Sequence, residues 1–405
     1  MRETLAIRDA RLYLGGQAMS MFGDSALLLA LGIWAKDLTG SSAAAGLVIL
    51  TVVVSGLLAP LTGLLVDRVR RRPLLIATNL VAAVAVLPLL TVSGPEDVWL
   101  LYVVGAVYGL SYTIIGAGQS ALLVAVVPSS LLPSANGALQ TVREGLRLVA
   151  PLAGAALFAA FGGGVVALVD AATFVAAAAG LAAMRLREPA PPPEPGSRLT
   201  ALAAGARHVL GTPSLRRMTT ACGVGLVALG FSETVYYEIV GRGLDRPAAF
   251  LGIVLAVQGL GAIAGGVTAA TVIARSGEAV VVAAGMASFG AGCLLATAAS
   301  LVPVLAGTLL IGVSIPWIVV GQLTLLQRRT PVALQGRAWS ASELLCGIPQ
   351  ALAIAGGAAL VSLVDYRILL VVMAATVAVA AAYLLASRGE ARRQEVRAGG
   401  ATPVA

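Results

Sequence analysis

The residues able to do chemistry in this chain are few, and most lie where charge is costly. Asp24 falls about twelve residues into an apolar run, in SMFGDSALL, and Gln17, Ser20 and Asp24 recur on one helical face. Arg143, Glu144 and Arg147 interrupt a later run, with Gln140, Glu144, Arg147 and Pro151 at i, i+4, i+7 and i+11. Trp339, Glu343, Cys346 and Gln350 form a matching stripe further on, which keeps the acid and loses the arginine. Glu233 lies in GFSETVYYE and Asp170 in VDAATF. A charged side chain at mid-bilayer costs at least about 2.5–3.5 kcal/mol on insertion scales, so each one needs a reason. The chemistry on offer is proton exchange: Asp24, Glu144, Arg147, Glu233 and Glu343 are the proton-coupling candidates. Glu144 has Arg147 one turn on and is expected to stay ionised. Glu343 has no such local partner and is expected to be the acid that exchanges a proton. For Asp170 the expectation is a structural role inside the first half.

Other chemistries are poorly served. His208 is the only histidine, so a histidine metal site or triad is excluded. Cys222, Cys293 and Cys346 fall within apolar runs, without metal spacing or a disulfide framework. There is no G-x-x-x-x-G-K-[ST] loop to cradle a nucleotide. No nucleophile–base pair stands out, so the expectation is a non-enzyme with no cofactor and no metal.

The surroundings of these residues set the class. The chain has 405 residues, 59% hydrophobic and 11% charged, against about 25% charged in soluble domains. Such a chain cannot cover its own surface in water. Counting apolar runs of roughly 18 residues or more predicts twelve spans. They lie at about 12–35, 41–66, 73–93, 98–126, 136–161, 164–185, 215–240, 248–273, 278–299, 301–326, 336–363 and 367–387. The runs are Ala/Leu/Val/Gly-rich without alternation, unlike barrel strands. The fold class expected is all-α.

The formal net charge of +8 resolves into topology rather than nucleic-acid binding. Arginines cluster in one set of short loops, chiefly Arg68–Arg72, Arg185–Arg217, Arg328, Arg329, Arg337 and the tail from Arg388. The opposite set holds only Lys36, Arg242, Arg246 and Arg367. The basic side is cytoplasmic, and an even span count puts both termini there. The first span is expected to be retained, since no small-residue cleavage site follows the N-terminus. The longest connection opens with EPAPPPEPGS, a semi-extended spacer, and continues as an amphipathic segment. The division expected is 1–187, a six-helix bundle; 188–214, a cytoplasmic linker with an amphipathic helix; 215–388, a second six-helix bundle; and 389–405, a polar tail.

The two bundles repeat one another. Gly109-Leu-Ser, Gly118-Gln and Pro128 recur as Gly312-Val-Ser, Gly321-Gln and Pro331, at an offset of 203. Gly46-Leu-Val-Ile faces Gly252-Ile-Val-Leu at 206, and Gly137 and Glu144 face Gly336 and Glu343 at 199. Ordered agreement in three span pairs is hard to reach by chance.

The loop 63–72, GLLVDRVRRR, resembles the G-x-x-x-D-R-x-G-R-R signature of the major facilitator superfamily through Gly63, Asp67, Arg68, Arg71 and Arg72, with Arg70 at the second glycine. Its counterpart near TVIARSGE has Ile273 opposite Asp67. The fifth span, with Pro151 and Gly154, is similar to that superfamily's antiporter signature. FGD, LTGSSAAAGLV, ANGALQ and VDAATF look like the drug:proton antiporter branch with macrolide efflux pumps and the enterobactin exporter. The resemblance implies the two-bundle fold, with substrate held near the midplane. It implies alternating access driven by protons and export of a hydrophobic or amphipathic drug, antibiotic or secondary metabolite. The alternative is a lipid or lysophospholipid flipping carrier of the same fold. The partners expected are a small-molecule substrate, protons and the lipid bilayer. The protein is expected to be a monomer, without nucleic acid, in a bacterial plasma (inner) membrane. By the same resemblance, Gln17, Tyr108, Tyr112, Gln119, Phe231, Trp317, Gln322 and Trp339 are the substrate-lining candidates. The loop 63–72 is expected to act as a conformational latch, Asp67 meeting the N-terminus of the eleventh span near Gly336 and Arg337.

Overall fold

The computed structural model describes residues 2–399, except 57, 187, 189–197, 247–249 and 299. The described chain is helical from end to end. A short α1 (Arg2–Ala6) leads into α2 (Arg8–Thr39), followed by α3 (Ser42–Gly56), α4 (Ala59–Arg68), α5 (Arg71–Val86), α6 (Val98–Val126), α7 (Leu132–Phe161) and α8 (Gly163–Ala182). The connecting α9 (Arg198–Gly211) precedes α10 (Pro213–Glu238), α11 (Leu251–Ser276), α12 (Glu278–Ala296), α13 (Leu301–Arg329), α14 (Gln335–Leu363) and α15 (Tyr366–Gly399). Long apolar runs become helices here because hydrocarbon offers the backbone no other hydrogen-bond partners.

Among the described residues nine helices are long and apolar enough to cross a membrane, and a bent pair raises this to ten. Helices α10 and α14 fall where the seventh and eleventh spans are expected. The bent pair is the second span, expected as one run over 41–66. It divides into α3 and α4, which meet at 50°. Pro60 sits in the first turn of α4; it has no N–H for the carbonyl four residues back, and its ring crowds that carbonyl. Large apolar side chains such as Val84, Leu152 and Val379 remain exposed on the spans, as a surface in contact with lipid requires.

Two compact units form: residues 1–211 with 326–344, and residues 212–325 with 345–405. The first has two buried clusters, one around Leu27, Leu31, Val86, Leu101 and Phe174, the other around Tyr13, Leu75, Leu122 and Leu132. The second has a core around Met218, Val254, Met286, Phe289 and Val377.

Within each unit the same close helix approaches recur. In the first, a Cβ on Gly109 would strike the Val52 carbonyl and come within 2.7 Å of Ser55 Cβ. In the second, a Cβ on Gly312 would strike the Gln258 carbonyl, and one on Gly261 would lie 3.1 Å from Gly312 Cα. Likewise a Cβ on Gly118 would lie 2.8 Å from Leu75 Cδ2, and one on Gly321 2.8 Å from Val281 Cγ1. These glycine pairs stand 203 residues apart and their partners 206 apart, the offsets found in the sequence repeat.

Candidate functional site: a helix-capping carboxylate and intramembrane acids

The loop between α4 and α5, with its flanking turns, is tied to residues 332–340 within the first unit. The Asp67 carboxylate, at the end of α4, accepts hydrogen bonds from the backbone N–H of Gly336 (2.8 Å) and of Arg337 (3.0 Å). It also accepts one from Arg337 Nε at 2.9 Å, in an ion pair with both side chains at 3% exposure or less. The two N–H groups belong to the first turn of α14 and have no partner within that helix. A carboxylate there also meets the positive end of the helix dipole.

This geometry depends on two glycines. A Cβ on Gly63 would strike Ser340 Oγ and lie 2.7 Å from the Gly336 carbonyl oxygen. A Cβ on Gly336 would lie 2.7 Å from the Gly63 carbonyl oxygen and 3.0 Å from Asp67 Oδ1. The backbones of α4 and α14 can thus touch, and only then can Asp67 reach the N–H groups.

The arginines of the loop divide their work. Arg71 is buried and its Nη2 donates to the Val332 carbonyl at 2.9 Å. Arg72 turns the other way, donating from Nε to Leu181, from Nη2 to Ala182 and from Nη1 to Leu186 (2.8, 2.6 and 3.3 Å). It therefore caps the C-terminus of α8, whose last carbonyls need donors. Arg68 is exposed. Three further ties were not legible in the sequence. Asn136 Nδ2 donates to Gln327 Oε1 at 2.7 Å, and Gln335 Nε2 closes the turn onto the carbonyls of Gln327 and Thr330 (2.9 and 2.8 Å). On α9, a Cβ on Gly205 would strike the Arg337 backbone, and His208 Nε2 lies 3.2 Å from the Arg329 carbonyl. The Asn136 and α9 ties join residues far apart in the chain, and the Gln335 turn, though local, follows no motif read in the sequence.

The intramembrane acids fall into separate places. Asp24 on α2 is half-buried, with Ser20 Oγ donating to its Oδ2 at 3.4 Å. Asp170 on α8 is fully buried and accepts a hydrogen bond from the Tyr108 hydroxyl. Tyr108, expected to line a substrate cavity, is itself buried and packs edge-on against Phe174, ring centroids 5.8 Å apart. Glu144 on α7 is buried and accepts a bond from Gln140 Nε2 at 2.7 Å, while Arg147 is exposed. Glu343 and Tyr112 are exposed, and the charge of Arg143 acts on both and on Glu144. Arg143, left out of the sequence-based set, is thus the cation common to this group. The side chain of Glu233 lies outside the described residues.

Of the remaining substrate-lining candidates, Gln17 is half-buried, Gln119 is buried, and Trp339 is buried with its ring against Gly116. In the second unit Phe231 packs against the core, Trp317 Nε1 donates to Thr268 Oγ1 at 3.0 Å, and Gln322 Nε2 lies 3.5 Å from Cys346 Sγ. Among the described residues no group of three or more His, Cys, Asp or Glu could hold a metal.

Two solved structures share this fold. The chain matches a bacterial homologue of the iron transporter ferroportin in an outward-facing state with a TM-score of 0.76 at 18% identity, covering 93% of this chain and 98% of that one. It matches the human organic anion transporter MFSD10 (TETRAN) with a TM-score of 0.77 at 15% identity, covering 92% and 99%. No curated protein matches by sequence. The sequence profile of the Major Facilitator Superfamily matches residues 13–245, more than half the chain. With the helical fold and the capped 63–72 loop, this makes the chain a member of the Major Facilitator Superfamily, a multi-pass membrane transporter and not an enzyme.

Proposed function

We propose that the protein exports a hydrophobic or amphipathic small molecule in exchange for protons, by alternating access. The observation that carries this reading is the placing of Arg143, Arg147 and Glu343 as exposed side chains on apolar spans of the first unit. Charges of this kind do not face hydrocarbon, so the face that bears them is the wall of a water-accessible route. The few polar groups on that face, Tyr112 among them, suit a greasy cargo better than a sugar, which would need many more hydrogen bonds. The drive is the membrane potential, about 2.3 kcal/mol per charge per 100 mV, together with any pH gradient. Asp67, with Gly63, Arg68, Arg71 and Arg72, acts as the latch of one conformational state. Its grip on the start of α14 is the contact that would open. A bias of a few kcal/mol is enough to shift two near-equal states. The expected setting is a plasma membrane, with both termini on the cytoplasmic side.

The test is in proteoliposomes. Ethidium and a macrolide, chosen as lipophilic probes, are added to vesicles reporting internal pH. Probe-induced proton movement is expected, and it should vanish in Glu343→Gln. Probe transport with no proton movement would refute the coupling. Transfer of fluorescent lysophospholipid in place of either probe would favour the lipid carrier.

A further inference from the structure

Two stripes on neighbouring helices of the first unit close in step. On α6, Tyr112 is 58% exposed, Gly116 is half-buried and Ser120 is buried, at i, i+4 and i+8. On α14, counted towards its start, Glu343 is exposed, Trp339 is 9% exposed and Gln335 is fully buried, again four residues apart. Residues four apart share a helix face, so each stripe runs from open to closed along one side of its helix. The stripes meet in the middle. A Cβ on Gly116 would strike Trp339 Cη2 and Cζ2 and lie 3.2 Å from Cε2. They are joined again at the buried end through Gln327. Its Nε2 donates to the Ser120 carbonyl at 3.4 Å, and its own carbonyl accepts from Gln335 Nε2 at 2.9 Å.

Three features make this ring a movable part rather than fixed core. Its seat is shaped for it, because the side chain missing at Gly116 leaves the room that the flat indole fills. Only shape holds it there. A buried indole N–H usually finds an acceptor, as Trp317 Nε1 does on Thr268 Oγ1, but among the described residues Trp339 Nε1 makes no hydrogen bond. The ring also rides on the first two turns of α14, whose leading N–H groups Asp67 holds. When that grip opens, the ring leaves its seat with the helix.

We propose that Trp339 is the gate of the route on the side of the basic loops, its indole seated on Gly116 as a plug beneath Tyr112 and Glu343. Closed, it separates the exposed part of the wall from the buried polar layer of Ser120, Gln327 and Gln335. Open, it lets cargo and water past. Trp339 then gates the route, while Tyr112 lines it. The inference deepens the exporter reading and rests on it for the existence of the route, independently of proton exchange.

Cysteine labelling of the full-length protein in vesicles of known orientation tests the gate without any cargo. Tyr112→Cys is the reporter, in the native background, whose three thiols are buried. A membrane-impermeant maleimide should reach it readily from the face opposite the basic loops and slowly from the face that carries them. The slow rate follows the fraction of molecules that are open, about 10% or less for a minor state. Trp339→Ala removes the plug and Gly116→Val fills its seat. Each should raise labelling from the basic face about tenfold, as the minor state becomes the main one. Trp339→Phe, which keeps a ring on Gly116, should leave it slow. Rapid labelling of the reporter alone from the basic face would overturn the gate, as would no change with Trp339→Ala and Gly116→Val. Should Trp339→Ala expose the native thiols as well, Gly116→Val decides, since it keeps the indole and only displaces it. A reporter unreactive from both faces would refute the route and the gate together. A gate that behaves as expected in a protein showing no cargo-driven proton movement would stand, and only the exchange mechanism would fall.

Discussion

Asp67 shows how much one carboxylate is asked to do. It satisfies two backbone N–H groups and one guanidinium at once, in a place with almost no water. Removing one member of a buried pair leaves the other charge uncompensated, at a cost of about 3–5 kcal/mol. Asp67→Ala is therefore expected to lower thermal stability in detergent markedly. Asp67→Ala combined with Arg337→Met, which removes both charges, should recover much of the loss. A thermal-shift double-mutant cycle measures this, and purely additive losses would show that the two side chains are not coupled. The sequence resemblance directed attention to Asp67. That Arg72 would instead cap α8 could not be read from adjacent arginines, because the direction each takes depends on which carbonyls come near.

At the scale of elements, α4 and α14 touch backbone to backbone at Gly63 and Gly336. Overpacking a tight contact typically costs about 1–3 kcal/mol. Gly336→Ala should therefore destabilise the protein and loosen the Asp67 bonds. Gly145→Ala, at a helical glycine with nothing within 4 Å, should be neutral or stabilising by about 0.5–1 kcal/mol. Melting curves of the two variants side by side make the comparison, and equal behaviour would remove the helix crossing from the account. The bend between α3 and α4 belongs to this scale too. Hydropathy sees one apolar run over 41–66, because it weighs side chains and ignores the backbone donor missing at Pro60.

For the whole molecule, the proposed topology puts the basic loops on the cytoplasmic face. The native thiols provide a quiet background: Cys222 and Cys293 are fully buried and Cys346 nearly so. In intact cells a membrane-impermeant maleimide should label none of them. A cysteine placed at Glu96 should be labelled from outside, and one at Arg70 only after permeabilisation. The opposite pattern would invert the topology.

Span positions, the basic face and the internal repeat were legible in the residues alone, because the bilayer imposes one rule on every segment: apolar runs of sufficient length, with charge at the edges. The glycine contacts at 203 and 206 residues of separation show that this repeat is physical packing and not only composition. Three dimensions decided the rest. The meeting of Tyr108 with Asp170, the capping of α14 by Asp67 and the splitting of the arginine loop all join residues remote in the chain. Hydrogen bonds act over about 3 Å, so which groups meet depends on how helices cross, and no local spacing encodes that.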